Sequence, residues 1–514
     1  MILGHEATAA ESAGPRATLD DIFRQAAVRH PRAIALADPP DRARVTDGTP
    51  RRLSYAEADR LVSAIETKLR GLGLQTDAVV AIQLPNTIES VITFLGILRA
   101  GMIAAPLPLL WRKTDIVAAL RRVNAKAFVT ATRIGAAEHG ALAMQVAADL
   151  FSIRHICVFG NDVPDGTVAF DALFAAGNDE TPPPVTRAGN PAAHVAVITF
   201  DIAGSGIIPI ARNHVQLIAG GLGPLLEGRI AADATILSAM PIGSFAGTVL
   251  TVMPWLLSGG TLALHHPFDL ESFTAQRRAL HCDAMLLPGP LVAPFAEGGY
   301  LAGDNLKTIL AFWRAPERLD LAAPWKNATS LVDVTAFGET GLIAARRDAH
   351  GAPVPLCAGE ISAPRGWPGA MPVIEAARSE AGTLTLRGPM VPLHAFPPGA
   401  ERSADPHLKV NADGFVDTGY GCKFDADGRS LAITRLPAGL ICVGGYRFVA
   451  RRVDALMRDC APGATVFALP DALTGQRFAG TASDSAAIAA ELARRGENPL
   501  ITSAFRTAKA AVAA

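Results

Sequence analysis

The chain has 514 residues with 47 basic and 48 acidic side chains, and a formal charge of -1 gives no bulk field that would draw it to nucleic acid or an acidic membrane. Half of it is hydrophobic and only 18% is charged, which excludes global disorder and provides core material for about two to four domains. Eight lysines stand against 39 arginines, a skew that a GC-rich coding bias would produce alongside the abundant Ala, Gly and Pro.

The six cysteines have no pair at two- to four-residue spacing, which excludes a zinc ribbon or redox pair and predicts a reduced setting. No charged start with a continuous apolar run opens the chain, so the expectation is a cytoplasmic protein without a signal peptide. Residues 234–268 lack any Asp, Glu, Lys or Arg, but Pro241, Gly243, Gly247, Pro254, Gly259, Gly260 and Pro267 interrupt them. The expectation is therefore buried strand, loop, helix and strand rather than a membrane span.

In chain order, TLDDIFRQAAVRH, capped by Thr18, and LSYAEADRLVSAIETKLRGLGL, capped by Ser54 with Glu57 three residues on, read as helices, with Asp20 and Asp21 in the first turn of the former and Gly71 and Gly73 ending the latter. VVAIQLP predicts a strand, 87–99 a helix, MIAAPLP a strand, DIVAALRRVN a helix and AFVTA a strand. This alternation predicts parallel, doubly wound α/β architecture. A Pro-rich connector precedes HVAVITF, and LSAM, TLALHH, DAMLLPG, LKTILAFW and TSLVDVTAF predict strands of a second unit, with a helix near 316–321. After residue 353, GEISAP, GTLTLRGP and DGFVDTGYGCKFDADGRSLAIT signal short strands and tight turns. From 436, LICVGG, VARRVDALMRDC, GATVFALP and SAAIAAELARRG predict a small α+β domain. The expected fold class is α/β: a large N-terminal domain, 1–435, of two doubly wound units (18–190 and 191–352) and a β-barrel-like subdomain (353–435), then a small α+β lobe, 436–514.

The run LSYAEADRLVSAIETKLRGLGL, VVAIQLPNTIESVITFLGILRAGMIAAPLPL, GTLTLRGP, DGFVDTG and LICVGGYRF resembles, in order and spacing, the adenylate-forming (AMP-binding) superfamily, from 18 to about 477. It is acyl-CoA synthetase-like, with degenerate ATP motifs and a shortened C-terminal lobe. The resemblance implies ATP and Mg²⁺, activation of a fatty or aromatic carboxylic acid as an acyl-adenylate, and transfer to a thiol of CoA or of carrier-protein phosphopantetheine. A homodimer and an acyl carrier protein are among the partners it allows.

Carried over residue by residue, the resemblance places the nucleotide's phosphates at Gly204, Ser205 and Gly206, with His214 at the closing pair and Ile208 where the family has lysine. Asp201 adds charge repelling phosphate there. Phe337, Gly338, Glu339 and Thr340 fit the aromatic-Gly-x-Thr-Glu motif, but Gly341 takes the place of its carboxylate, which leaves Glu339 as the candidate metal ligand. Tyr420 replaces the ribose-binding Asp, and Arg435 stands one position early in the following basic motif. Thr340, Glu339 and His214 are thus the candidate catalytic groups; Gly204, Ser205, Gly206, Phe337, Gly338, Tyr420 and Arg435 the candidate nucleotide contacts. Ser244, at the family's usual His, with Gly247, Trp313 and Ala315, are the candidate acid pocket. The family's terminal lysine has only Lys509 as a counterpart, in an Ala-rich tail.

Two readings stay open. One is an active ligase in which Arg212, Arg435, Arg447 and Glu339 substitute for the missing charges. The other is a rewired or non-catalytic relative that binds an acyl or nucleotide ligand or partners an active synthetase or carrier. A dinucleotide oxidoreductase is disfavoured, because AGSG lacks the third glycine and the following acid. No nucleophile elbow, paired-His metal helix or nucleic-acid stripe is visible.

Overall fold

Thr18 caps the helix Leu19–Arg29 and Ser54 caps Tyr55–Gly71, each through a reciprocal capping box, with Asp21 and Glu57 as the returning carboxylates. The computed structural model describes residues 15–175, 185–301, 305–460 and 463–505; Lys509 lies outside them.

Two sheets form the large domain. One has seven strands in the order Val168–Ala169, His155–Phe159, Ala127–Ala131, Val79–Gln83, Ile103–Pro106, Val195–Ala203 and Gly206–Asn213. Its neighbours run parallel except the last pair. The other has eight, in the order Gly341–Arg346, Ser330–Phe337, Thr308–Trp313, Ala284–Pro288, Thr235–Ser238, Thr261–Leu264, Ile34–Ala37 and Arg52–Ser54. Only its two edge pairs are antiparallel. The sheets are interleaved in sequence: 34–54 joins the second sheet, whereas 195–213 closes the first.

The helix Ile88–Arg99 is buried at every position, and Phe245–Ser258 from Phe245 to Leu256. Apolar residues on all sides suit helices packed into one core cluster with strands of both sheets. The P-N-x-x-E motif serves this packing. Asn86 Nδ2 donates to the Ser238 carbonyl at 2.8 Å, tying the first sheet's loop to a strand of the second. Glu89 accepts from Arg42 at 2.6 Å, and Asp38 accepts the Ile88 N–H at 2.9 Å.

The uncharged stretch folds as a strand, a helix and a strand, as expected. Its helix starts at Phe245 because Ser244 Oγ accepts the Gly247 N–H at 3.1 Å and caps it there. Among the described residues no helix is long and apolar enough to cross a membrane. The element expected near 316–321 is a 3-10 helix, Pro316–Leu321.

Beyond residue 353 a five-stranded antiparallel sheet runs in chain order from Gly359–Ala363 to Leu431–Arg435. The C-terminal lobe pairs Leu440–Val443 with Tyr446–Val449 and Thr465–Asp471 with Gly475–Thr481. The helices Ala450–Cys460 and Ser485–Arg494 help cover a core of its own, centred on Val443, Val453, Met457, Phe478 and Leu492.

Candidate functional site

Five strands from both sheets end at one cavity of about 270 Å³. Trp111 follows Ile103–Pro106, Phe200 and Asp201 lie near the end of Val195–Ala203, and Met240 to Ser244 follow Thr235–Ser238. Phe312 and Arg314 come from the end of Thr308–Trp313, and Gly338 and Glu339 follow Ser330–Phe337. Carboxyl ends of parallel strands are where connecting loops leave a crevice, so this position is the expected ligand site of such a fold. Tyr420 from the β-rich subdomain and the hairpin tip Gly445–Tyr446–Arg447 from the C-terminal lobe complete the wall.

The polar end is an internal network. Arg447 donates to Asp201 Oδ1 and, at 3.1 Å, to the Tyr420 hydroxyl. Asp201 Oδ2 accepts the Glu339 N–H at 3.1 Å. Burial opposes the Arg447 charge, but Asp201 and Tyr420 outweigh it and hold the guanidinium above its ordinary range. Glu339 Oε2 accepts the Phe245 N–H at 2.6 Å, at the positive start of the Phe245–Ser258 helix. Burial and the neighbouring Asp201 nonetheless push the Glu339 carboxyl upward.

Behind it, Arg212 holds the 337–341 hairpin. It donates to the Glu339 carbonyl, to the Thr340 carbonyl at 2.9 Å and to the Met390 carbonyl at 3.1 Å, and lies 3.7 Å from the Phe245 ring centre. Burial lowers its guanidinium to about 9. Gly338 sits at φ +61, and a Cβ there would stand 2.5 Å from Asp201 Oδ2. Only glycine lets this turn approach the ion pair.

Of the residues singled out in the sequence, Asp201, Ser244, Gly338, Glu339, Tyr420 and Arg447 meet in this cavity. Glu339 points inward rather than to solvent, because the hairpin from Phe337 to Gly341 turns at Gly338. Phe337 is buried behind the cavity, edge-on to Tyr420 at 5.7 Å. Thr340 is buried in the same turn, outside the lining.

The stretch read as a phosphate loop is a tight hairpin. Pairing between Val195–Ala203 and Gly206–Asn213 runs to Ala203 and Gly206, leaving Gly204 and Ser205 as a two-residue turn. A Cβ on Gly204 would stand 3.1 Å from the Ala438 carbonyl, so the turn packs against the segment leading to the lobe. Ser205 and Gly206 line a second cavity of about 320 Å³ between large domain and lobe, which shares Ile202 and Arg447 with the first.

His214 is buried far from these groups' contacts, its Nδ1 accepting the Leu19 N–H at 3.2 Å, and burial pushes its imidazole down to about 3. Arg435 lies across from Gly421 in the β-rich sheet and does not reach the cavity. Gly247 is packed on Pro241, whose carbonyl would be 2.2 Å from a Cβ.

Trp313 faces away from the cavity, with Nε1 donating to Asp333 at 2.8 Å, and Ala315 is also off the lining. Alternation along a strand explains this: Phe312 and Arg314 share the cavity face, Trp313 the opposite one. Arg314 was therefore one residue from the sequence-based choice, and a period-two count would have found it. Trp111, Phe200 and Tyr446 have no sequence signal beyond being aromatic, since three separate loops and strands bring them together. Among the described residues no group of three His, Cys, Asp or Glu side chains could hold a metal ion.

Residues 23–200 match the family described as AMP-binding enzyme. A 2-hydroxy-7-methoxy-5-methyl-1-naphthoate–CoA ligase of Streptomyces carzinostaticus is 25% identical over 88% of this chain and 81% of its own length. A salicyl-AMP ligase / salicyl-S-ArCP synthetase of Mycobacterium tuberculosis is 24% identical over 93% of this chain and 85% of its own. The fold is shared with the amide bond synthetase McbA from Marinactinospora thermotolerans, at TM-score 0.68 and 18% identity, with 94% of each chain covered.

Proposed function

The chain belongs to the adenylate-forming superfamily, and we propose that it is a rewired member that keeps the family's acid-binding cavity without ordinary ATP-dependent adenylation. The observation that carries this reading is the strand pairing that runs from Val197 and Arg212 to Ala203 and Gly206, which turns the expected phosphate loop into a two-residue hairpin turn outside the cavity. An anion nest needs several backbone N–H groups converging on one oxygen cluster. A hairpin spends them on its own ladder.

The remaining groups do not fit a magnesium triphosphate. Asp201 is neutralised by Arg447, Glu339 is committed to the Phe245 N–H, and the Arg447 guanidinium already sits between carboxylate and phenol. Each absent charge group is worth about 2 to 4 kcal/mol of transition-state stabilisation in reactions of this type. This chain's residues instead shape and hold a ligand: aromatic walls exclude water, and Ser244 and Glu339 fix the loop that closes the cavity floor. An aromatic acid, or its thioester on CoA or carrier-borne phosphopantetheine, is the proposed ligand, in keeping with relatives named for naphthoate and salicyl groups. A cytoplasmic setting is part of the same proposal.

ATP–pyrophosphate exchange across a panel of aromatic and fatty acids tests it. The expected result is no exchange above the protein-free rate, together with a rise in Tm on adding an aromatic acid or its CoA thioester. Robust, acid-dependent exchange would establish the ligase reading in its place.

A further inference from the structure

Most buried arginines of this protein face a carboxylate. Arg42 pairs with Asp38 and Glu89, Arg99 with Asp20 and Asp59, Arg347 with Asp333, and Arg447 with Asp201. Arg314 does not. It lines the cavity, yet no carboxylate among the described residues lies within ion-pair distance of it, and it makes no hydrogen bond there. Burial lowers its guanidinium, with the neighbouring Tyr446 and Glu339 acting against that shift. Glu339 is turned to the Phe245 N–H instead of to Arg314.

The surroundings are built around this side chain. Its guanidinium carbon lies 5.1 Å from the Phe312 ring centre. The lobe's hairpin tip leaves room for it: a Cβ on Gly445 would stand 1.9 Å from Arg314 Cδ, and Gly445 is at φ +85, where side chains are strained. Three aromatic rings stand in the remaining wall, with Trp111 and Phe200 in tilted contact at 5.9 Å and Tyr446, its hydroxyl accepting the Leu110 N–H at 3.4 Å. A planar cation with open donors at one end of an aromatic slot is complementary to a flat anion carrying two oxygens side by side.

We propose that Arg314 is the anchor for the free carboxylate of an aromatic acid, whose ring lies against Trp111, Phe200 and Tyr446. This rests on the reading of the cavity as an aromatic-acid site and adds the group that recognises the carboxylate. The ligand is bound as the anion, by a residue of the large domain, with the lobe's Gly445 closing over the guanidinium. Arg447 stays with Asp201 and does not contribute.

The test is calorimetric titration of the full chain with benzoate and 1-naphthoate, each against its neutral primary amide, and with octanoate. The wild type should bind the aromatic carboxylates at least about 10-fold more tightly than the amides. Arg314→Gln should lose about 10- to 100-fold for the carboxylates, the range expected of a charged hydrogen-bonded contact, while its amide binding is unchanged. Arg314→Lys should keep part of the preference, which separates charge recognition from misfolding. A Gln variant that still prefers carboxylate overturns Arg314 as the anchor, and equal binding of octanoate overturns the aromatic class. If neither acid nor amide binds the wild type, the acid-site reading falls with the inference. Pyrophosphate exchange reads the loss of adenylation independently of these outcomes.

Discussion

Buried single residues in this protein are specialised by what faces them. His214 illustrates this at the level of one proton. Its Nδ1 accepts from the Leu19 backbone and its ring is fully enclosed, so folding holds it neutral down to about pH 3, against about 6.5 when exposed. Between those values the unfolded chain binds the extra proton, and stability present above pH 6.5 is lost as pH falls. His139, held down to about 3, and His266, to about 4, act in the same direction. Urea unfolding at pH 5 and 7 should show His214→Asn, which keeps an acceptor for Leu19, with a pH slope shallower by up to about 1.4 kcal/mol per pH unit. An unchanged slope would mean that His214 is protonated in the folded protein.

At the scale of elements, hairpins decide the site. Gly206–Asn213 is a strand because Gly204 and Ser205 are small enough for a two-residue turn and because alternate residues serve two cores, Ile208 and Ile210 on one face and Ile207 and Ala211 on the other. The 337–341 hairpin brings Glu339 inward, and the Tyr446–Val449 strand delivers Arg447 to Asp201 from another domain. The tip of that last hairpin makes the sharpest demand, since Gly445 has both a left-handed backbone and no space for a side chain. Gly445→Ala should destabilise by about 1 to 3 kcal/mol, from backbone strain and the clash with Arg314. In denaturant melts, a change within 0.5 kcal/mol of wild type would show that the tip is not seated against Arg314.

Across the whole molecule, the lobe has a core of its own and makes polar contacts with the large domain. They include Arg447 with Asp201, Arg452 with Asp115 at 3.5 Å, and Arg318 donating to the Asp471 and Ala472 carbonyls at 2.8 and 3.0 Å. The Arg447–Asp201 pair is largely dehydrated, and removing one partner of such a pair leaves a buried charge costing about 3 to 5 kcal/mol. Arg447→Leu should therefore undock the lobe and speed protease cleavage of the 436–439 segment. Adding Asp201→Asn should recover part of the loss, giving a non-additive cycle. Additive effects, or unchanged cleavage, would show that the pair does not hold the lobe.

Regular elements with strong local signals were legible from the chain alone. Thr18 and Ser54 carry their capping partners three residues on, and runs such as VVAIQ and AFVTA, apolar but for Gln83 and Thr130, are buried throughout because both faces of those strands are covered. Family landmarks fixed the order of the parts for the same reason: each is a short contiguous string. The interleaving of the sheets was not legible, since strand partners are chosen by packing between segments more than 200 residues apart, such as Ile34–Ala37 beside Thr261–Leu264.

Much of the candidate site was equally out of reach. Ser244, Gly338, Glu339 and Tyr420 line one cavity, whereas Trp313 stands on the opposite face of the strand that carries Phe312, and Ala315, beyond that strand's end, is off the lining. The residues of the chain by themselves determined the α/β class and the capped helices. Only the tertiary structure decided that Asp201 has a cation of its own in Arg447, that the presumed phosphate loop is a closed hairpin, and that Arg314 faces the cavity without a counterion. Charges act through distance, and the distances that matter here are set between domains rather than along the chain.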